Sequence, residues 1–486
     1  MKNQDLHYQS ASDLIALLAN KKISATELLE ETIARIELLD KKINAVVVRD
    51  FENARITAKT ADQAIARNER LPLLGLPITV KESFDIAGLP TTWGNMHFKN
   101  WCPQEDALAI VRLKKAGAII IGKTNISTML QDWQSYNEIY GTTNNPWDLN
   151  RTPGGSSGGS AASVAAGFVA LELGSDLGGS VRVPAHFCGI FGHKSSLNLI
   201  PLRGSSPPTA PRIASPVDLV VAGPIARTAD DLVLGLNVMA GPDDLWDRKG
   251  YQLCLPPARH TKLSDFRVLI IDEHPLCPTA HSIKHAINNL IEHLNKSKVS
   301  ISRDIKNMPD LAEIARTYAL MFFALVSANM PIAEFETVVA AEKALDKNDN
   351  SFIAALLRGS ALSYRDWFAV SRRRNELRQQ WRNLFKEFDV VICPVMPTPA
   401  FPHNHTNSEN RQLDVDGLSV PYLHQFAWST IASLFGFPST VVPIGHSENN
   451  LPIGVQVIGD YLEDYTTIKF ASLLECEWGG FSPPPL

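Results

Sequence analysis

Between Pro153 and Gly192 the chain reads PGGSSGGSAASVAAGFVALELGSDLGGSVRVPAHFCGIFG, two glycine-bracketed serine clusters in a stretch with almost no charge. Ser156 lies in Gly154-Gly155-Ser156-Ser157-Gly158-Gly159, and Ser180 closes Gly178-Gly179-Ser180. The alanine-rich segment between them predicts a buried helix followed by a short strand. Glycines on both sides let the backbone approach a ligand and aim consecutive N–H groups at one point, the geometry that holds a negative oxygen. A serine at the end of such a run is a candidate nucleophile.

A serine hydroxyl is a poor nucleophile near neutral pH, so this reading requires a base. Lys81 follows Leu76-Pro77-Ile78-Thr79-Val80, an apolar run that predicts a short interior strand delivering the lysine into the protein. Burial favours the neutral amine, the form that can take a proton. For an arbitrary lysine at a strand end, snorkelling to solvent is the commoner arrangement.

In their order along the chain, these pieces resemble the amidase signature family. The resemblance rests on Gly75-Leu76-Pro77-Ile78-Thr79-Val80-Lys81-Glu82, on Gly117-Ala118-Ile119-Ile120-Ile121-Gly122-Lys123-Thr124-Asn125, and on Tyr140-Gly141 with Asn145-Pro146-Trp147. The serine–glycine block and Leu451-Pro452-Ile453-Gly454-Val455-Gln456 complete it, over about residues 75 to 475. It implies an α/β fold of one large domain, a mixed central β-sheet covered by helices on both faces. It also implies a signature core at about 75–235, a variable substrate-selecting region at about 257–375 and a C-terminal part of the core at about 385–475.

Carried over by position, the resemblance makes Ser180 the nucleophile, Ser156 a bridging serine and Lys81 the terminal base of an amidase that works through an acyl-enzyme. The oxyanion hole falls on the backbone N–H groups of Leu177, Gly178, Gly179 and Ser180, and the peptide bond before Ser156 is cis. No metal or organic cofactor is called for. One component of a tRNA-dependent amidotransferase, releasing ammonia from glutamine for a partner, would carry the same three residues. The aromatic run from Trp133 to Tyr140 and the tail Gly479-Gly480-Phe481-Ser482-Pro483-Pro484-Pro485 lean towards free-standing amidases of bacterial type. Leu177, Ser195 and Thr128 depart from the usual family residues, the last two at positions that bear on substrate preference.

Two patterns point to other classes. Gly117 to Thr124 fits the phosphate-loop pattern, but Ala118-Ile119-Ile120-Ile121 predicts a buried strand, whereas a phosphate cradle needs a loop with exposed N–H groups. Gly154-Gly155-Ser156-Ser157-Gly158 fits the nucleophile elbow of α/β-hydrolases, which would make Ser156 the nucleophile and recruit a later aspartate and one of His186, His193, His260, His274 or His424. An elbow needs a strand running into the turn, and Asn144 to Pro153 is loop chemistry. A flexible linker is disfavoured because the alanine-rich helix begins at once.

With 486 residues, 45% hydrophobic and 20% charged, the chain can bury a large core; length alone suggests about three domains, while the scattered motifs demand one. A net charge of −5 and a pI near 6.2 give no reason to expect nucleic acid or membrane binding, so a small-molecule amide is the expected partner, with a homodimer left open. Met1 to His7 lacks the apolar core of a signal peptide, so a soluble, cytoplasmic protein is expected. Six cysteines without C-x-x-C spacing suggest reduced thiols, with Cys188 a wall of the site. Two helices are predicted over about 10–40, the second opened by a capping box from Ser24 to Glu27. Strands are predicted at Gly117–Gly122, Phe266–Asp272, Val390–Ile392 and Gly454–Ile458, an amphipathic helix through Ile283, Ile287, Leu290 and Leu294, and a long helix over 361–388. Arg372-Arg373-Arg374 reads as a solvated helix face paired with Glu376. Met321, Phe322 and Phe323 lie on an apolar helix, as core or as the lining of an acyl pocket.

Overall fold

The computed structural model describes residues 6–212, 217–245, 247–304, 308–328 and 330–486; most of the segment Met1 to His7 lies outside them. Runs such as Ile119 to Ile121 and Val390 to Ile392 have no polar face to offer water, so they pair inside a sheet covered on both sides. One mixed sheet of 11 strands results. In spatial order it comprises Val46–Arg49, Ile119–Thr124, Pro77–Lys81, Leu171–Asp176, Val221–Ala226, Phe191–Lys194, Ser439–His446, Pro452–Ile458, Val390–Pro394, Arg267–Ile270 and Ser300–Ser302. Pro77–Lys81 is parallel to both its neighbours, and from Leu171–Asp176 to Val390–Pro394 each strand is antiparallel to the next. Pro452–Ile458, close to the C-terminus, therefore sits inside the sheet, and both ends of the chain share one core.

The helices follow their local chemistry. The helix Ala25–Ile43 opens with the expected capping box: Glu27 N–H donates to Ser24 Oγ at 3.0 Å and Ser24 N–H to Glu27 Oε2 at 2.8 Å. The helix His281–Lys296 buries Ile283, Ile287, Leu290 and Leu294, and the long helix runs Tyr364–Glu387. Its arginines are more engaged than a solvated face implies. Arg373 pairs with both Glu313 and Glu376, and Arg374 Nη1 lies 2.7 Å from each oxygen of Asp218. The phosphate-loop match is a strand, and Lys123 within it donates to Pro90 O at 2.5 Å and Thr91 Oγ1 at 2.7 Å. Among the described residues no helix is long and apolar enough to cross a membrane.

Candidate active site

Pro77–Lys81 delivers Lys81 to the C-terminal end of the strand with none of its surface exposed. Lys81 Nζ lies 2.8 Å from Ser156 Oγ and 2.9 Å from Ser175 Oγ, and donates to Ser175 O at 3.3 Å. Burial pushes the amine down to about 7, against the opposing pull of the Asp176 carboxylate. Burial therefore favours the neutral amine, the form that carries a free lone pair.

Ser156 stands on the loop before the helix Gly158–Ala165, and the Gly155–Ser156 peptide bond is cis. The glycines answer a close approach of backbone: a Cβ on Gly155 would lie 2.4 Å from Asp132 O, and one on Gly159 2.3 Å from Asn125 N. Ser135 fastens the loop, its Oγ donating to Gly154 O at 3.1 Å and accepting from Gly158 N–H at 2.9 Å. No strand leads into it; Asn144 to Pro153 holds only isolated bridges, so an elbow is not formed.

Ser180 ends the turn between the strand Leu171–Asp176 and the helix Arg182–Cys188. Asp176 organises that turn, accepting from Gly179 N–H at 2.9 Å and Val181 N–H at 3.0 Å, and from Arg182 at Nη2 (2.9 Å) and Nε (3.1 Å). Arg182 continues to Gln456 Oε1 and Ser433 Oγ, both at 2.8 Å. Burial would raise the Asp176 carboxyl, but the Arg182 guanidinium beside it holds it well below the usual carboxylate range. Ser157 N–H donates to Ser180 O at 3.2 Å, which joins the two serine loops. Ser180 is the more open serine, 9% exposed against 1% for Ser156, and its hydroxyl makes no hydrogen bond among the described residues.

The structure thus brings Lys81 and Ser156 into direct contact and sets the Ser180 turn beside them. Of the predicted donors, Gly179 N–H donates to Asp176, while the N–H groups of Gly178 and Ser180 have no acceptor among the described residues. Cys188 is buried behind the loop, its Sγ 3.4 Å from Pro153 O, and burial pushes its thiol up. Ser175, Asp176 and Arg182 had no predicted role. Asp176 and Arg182, opposite charges flanking Gly-Gly-Ser in a nearly uncharged block, were the available signal.

The histidines are engaged elsewhere. His186 Nδ1 accepts from Gly454 N–H at 2.7 Å; His193 bridges Thr440 Oγ1 at 2.9 Å and Asp464 at 3.0 Å; His260 pairs with Asp389. His274 and His424 stand edge-on to Trp428 and Phe352. Replacing His186, His193 or His424 by Gln is expected to leave acylation of Ser180 within about tenfold, whereas loss of a triad histidine costs several powers of ten. Rates of covalent labelling on folded variants check this.

A buried lysine whose neutral form is favoured, in contact with a serine and next to a glycine turn carrying a second serine, is suited to moving protons off a hydroxyl. The Amidase family model matches residues 27–468, and the chain belongs to that family. It is 32% identical to a glutamyl-tRNA(Gln) amidotransferase component of Exiguobacterium sp., over 97% of this chain and 98% of that protein. It is 29% identical to fatty-acid amide hydrolase 2-A of Danio rerio, over 98% and 90% of the two chains. Among solved structures, an inhibitor-bound chain from a complex bearing on the origins of an s-triazine catabolic enzyme superposes with a TM-score of 0.79 at 28% identity, over 96% of this chain and 98% of that one.

Proposed function

We propose that the protein is an amidase that hydrolyses a linear carboxylic amide through an acyl-enzyme on Ser180. The observation that carries this reading is the 2.8 Å contact between Ser156 Oγ and a fully buried Lys81 whose amine titrates at about 7. Ser180 Oγ attacks the carbonyl carbon as its proton passes to Ser156 Oγ and the Ser156 proton passes to neutral Lys81 Nζ. The negative oxygen formed meets the free N–H groups of Gly178 and Ser180, with Leu177 N–H at the strand end beside them. The relay then returns a proton to the leaving nitrogen, the C–N bond breaks, and water attacks the ester to release the acid and restore Ser180. Esters are also substrates, being easier acyl donors. The setting is the cytoplasm, and the variable region selects substrate, since the helix Leu311–Ser327 places Tyr318 and Phe322 against Phe426.

The amidotransferase relatives favour a second reading, release of ammonia from glutamine for a partner protein. Glutamine brings an ammonium and a carboxylate, which need charged partners when desolvated. A Cβ on Gly178 or Gly179 would meet Phe426, Tyr318, Val183, Ser429 and Trp133, and these uncharged side chains, on the side of the turn that its glycines leave open, support an apolar acyl group instead. Purified chain assayed alone is expected to hydrolyse apolar amides, with kcat/KM for glutamine at least about 100-fold lower, and a fluorophosphonate is expected to label Ser180 only. Preferred turnover of glutamine overturns the first reading in favour of the second, and label on Ser156 with Ser180 unmodified overturns both.

A further inference from the structure

We infer that Tyr318 and Trp133 are positioning residues that lock the Ser180 turn, Tyr318 by aiming the Gly178 N–H at the reaction and Trp133 by keeping the Gly179 N–H on Asp176, an inference that rests on Ser180 being the nucleophile. Each of the four carbonyls from Leu177 to Ser180 has its own donor. Tyr318 Oη donates to Leu177 O at 3.2 Å and Trp133 Nε1 to Gly178 O at 2.9 Å. Val183 N–H donates to Gly179 O at 2.7 Å and Ser157 N–H to Ser180 O at 3.2 Å. In a trans peptide the C=O of one residue is antiparallel to the N–H of the next, so fixing a carbonyl aims the following N–H the opposite way. The outcome alternates. Gly178 and Ser180 keep free N–H groups, while those of Gly179 and Val181 end on Asp176.

Two of the four carbonyl donors are backbone groups supplied by the signature block itself. The other two are side chains from elsewhere, and they hold the peptide units on either side of Gly178, where the chain is freest to rotate. Rotation of the Leu177–Gly178 unit would turn a carbonyl towards the developing negative oxygen, and rotation of the Gly178–Gly179 unit would turn the Gly178 carbonyl onto the Asp176 carboxylate and release the N–H bond that holds the turn. Both donors are anchored. Tyr318 is fully buried, and burial pushes its hydroxyl well above the usual range, so it keeps the proton it donates. Its ring stacks on Phe322 at 5.5 Å, and Phe426 lies 5.6 Å from Tyr318 and 4.5 Å from Trp133. On the far side Tyr422, 5.4 Å from the Trp133 ring, bonds Asp132 at 2.7 Å, and Arg411 lies over it. The face of the helix Leu311–Ser327 that walls the acyl side is therefore the face that holds the turn.

Tyr318→Phe and Trp133→Phe test this by removing one donor each and keeping a ring. The readouts are kcat per fluorophosphonate-titrated Ser180, KM, and inhibition constants for a trifluoromethyl ketone, which forms a tetrahedral oxyanion on the serine, and for the matching alcohol, which does not. In each variant kcat is expected to fall about 10–100-fold with KM within about threefold, since a misaimed donor costs part of the 10²–10³ that a deleted one costs. The ketone weakens in the same proportion, the alcohol holds its affinity, and the pH inflection set by Lys81 stays in place. Phe322→Leu, which disturbs the same ring cluster without a bond to the turn, shifts ketone and alcohol together. Equal weakening of ketone and alcohol in the donor variants, unchanged ketone binding, or loss of the fold in both overturns the inference. Absence of label on Ser180 in the wild-type chain instead removes the functional reading beneath it.

Discussion

Amide hydrolysis is expected to fall by at least about 10³-fold in Lys81→Ala, because the relay then ends on a serine with no base behind it. Lys81→Arg does not restore it, since a guanidinium stays protonated. In the wild-type chain kcat/KM for a non-ionising amide should rise along a single ionisation centred near pH 7, where burial has brought the amine. The sign follows from the charge. Below that pH Lys81 is an ammonium with no lone pair, and above it the neutral amine accepts the proton. Esters should lose less in Lys81→Ala, as an alkoxide leaves with less help from a proton donor than an amine does. The pH–rate profile of wild type beside the variant decides the matter: an alkaline limb that survives without Lys81 belongs to another residue, and the assignment fails.

Arg182→Met is expected to destabilise the fold by about 3–5 kcal/mol at neutral pH, because it leaves the Asp176 carboxylate buried without its counter-charge. Both side chains of this pair are 1% exposed or less, so water offers no substitute. In the wild type the Asp176 carboxyl titrates below its unfolded value, so its contribution is full above about pH 4 and lost as the pH falls through the folded value. Without Arg182, burial is opposed only by Lys194 and the N–H groups of Gly179 and Val181, so the carboxyl moves up and protonation relieves part of the penalty. The stability gap between wild type and variant should therefore be widest near pH 7 and narrow towards pH 4, as urea unfolding at the two values would measure. A gap that widens in acid would mean that Arg182 acts through something other than Asp176.

The sequence was most legible where chemistry is local. An apolar run ending in a lysine predicts a strand and a buried amine, and Pro77–Lys81 is that strand. A serine three residues before a glutamate predicts a capping box, and Ser24 and Glu27 form it. The alanine-rich segment after Ser156 is the helix Gly158–Ala165, and the strand after it ends at Asp176, just before the turn that carries Ser180. What stayed hidden depends on contacts across the chain. Tyr318 lies 141 positions from the carbonyl it holds and Trp133 lies 45 from its own, and neither distance leaves a local pattern. The family resemblance names four backbone donors without saying which is spent. Asp176, three residues before Gly179, is placed to take that N–H as short acidic side chains do in turns, so this part was within reach of a closer reading.

The strand Pro452–Ile458 lies between Ser439–His446 and Val390–Pro394, both of which leave the ribosome before it does. A nascent chain that has emerged only as far as His446 already carries the entire serine–glycine block, yet its sheet has an open slot in the middle and Arg182 lacks its Gln456. Two unpaired inner edges flank that slot, the kind of surface that invites chaperones and aggregation during synthesis. Completion of the sheet is thereby tied to the synthesis of residues 452–458: a polypeptide cut short before them carries Lys81, Ser156 and Ser180 without the finished scaffold around them.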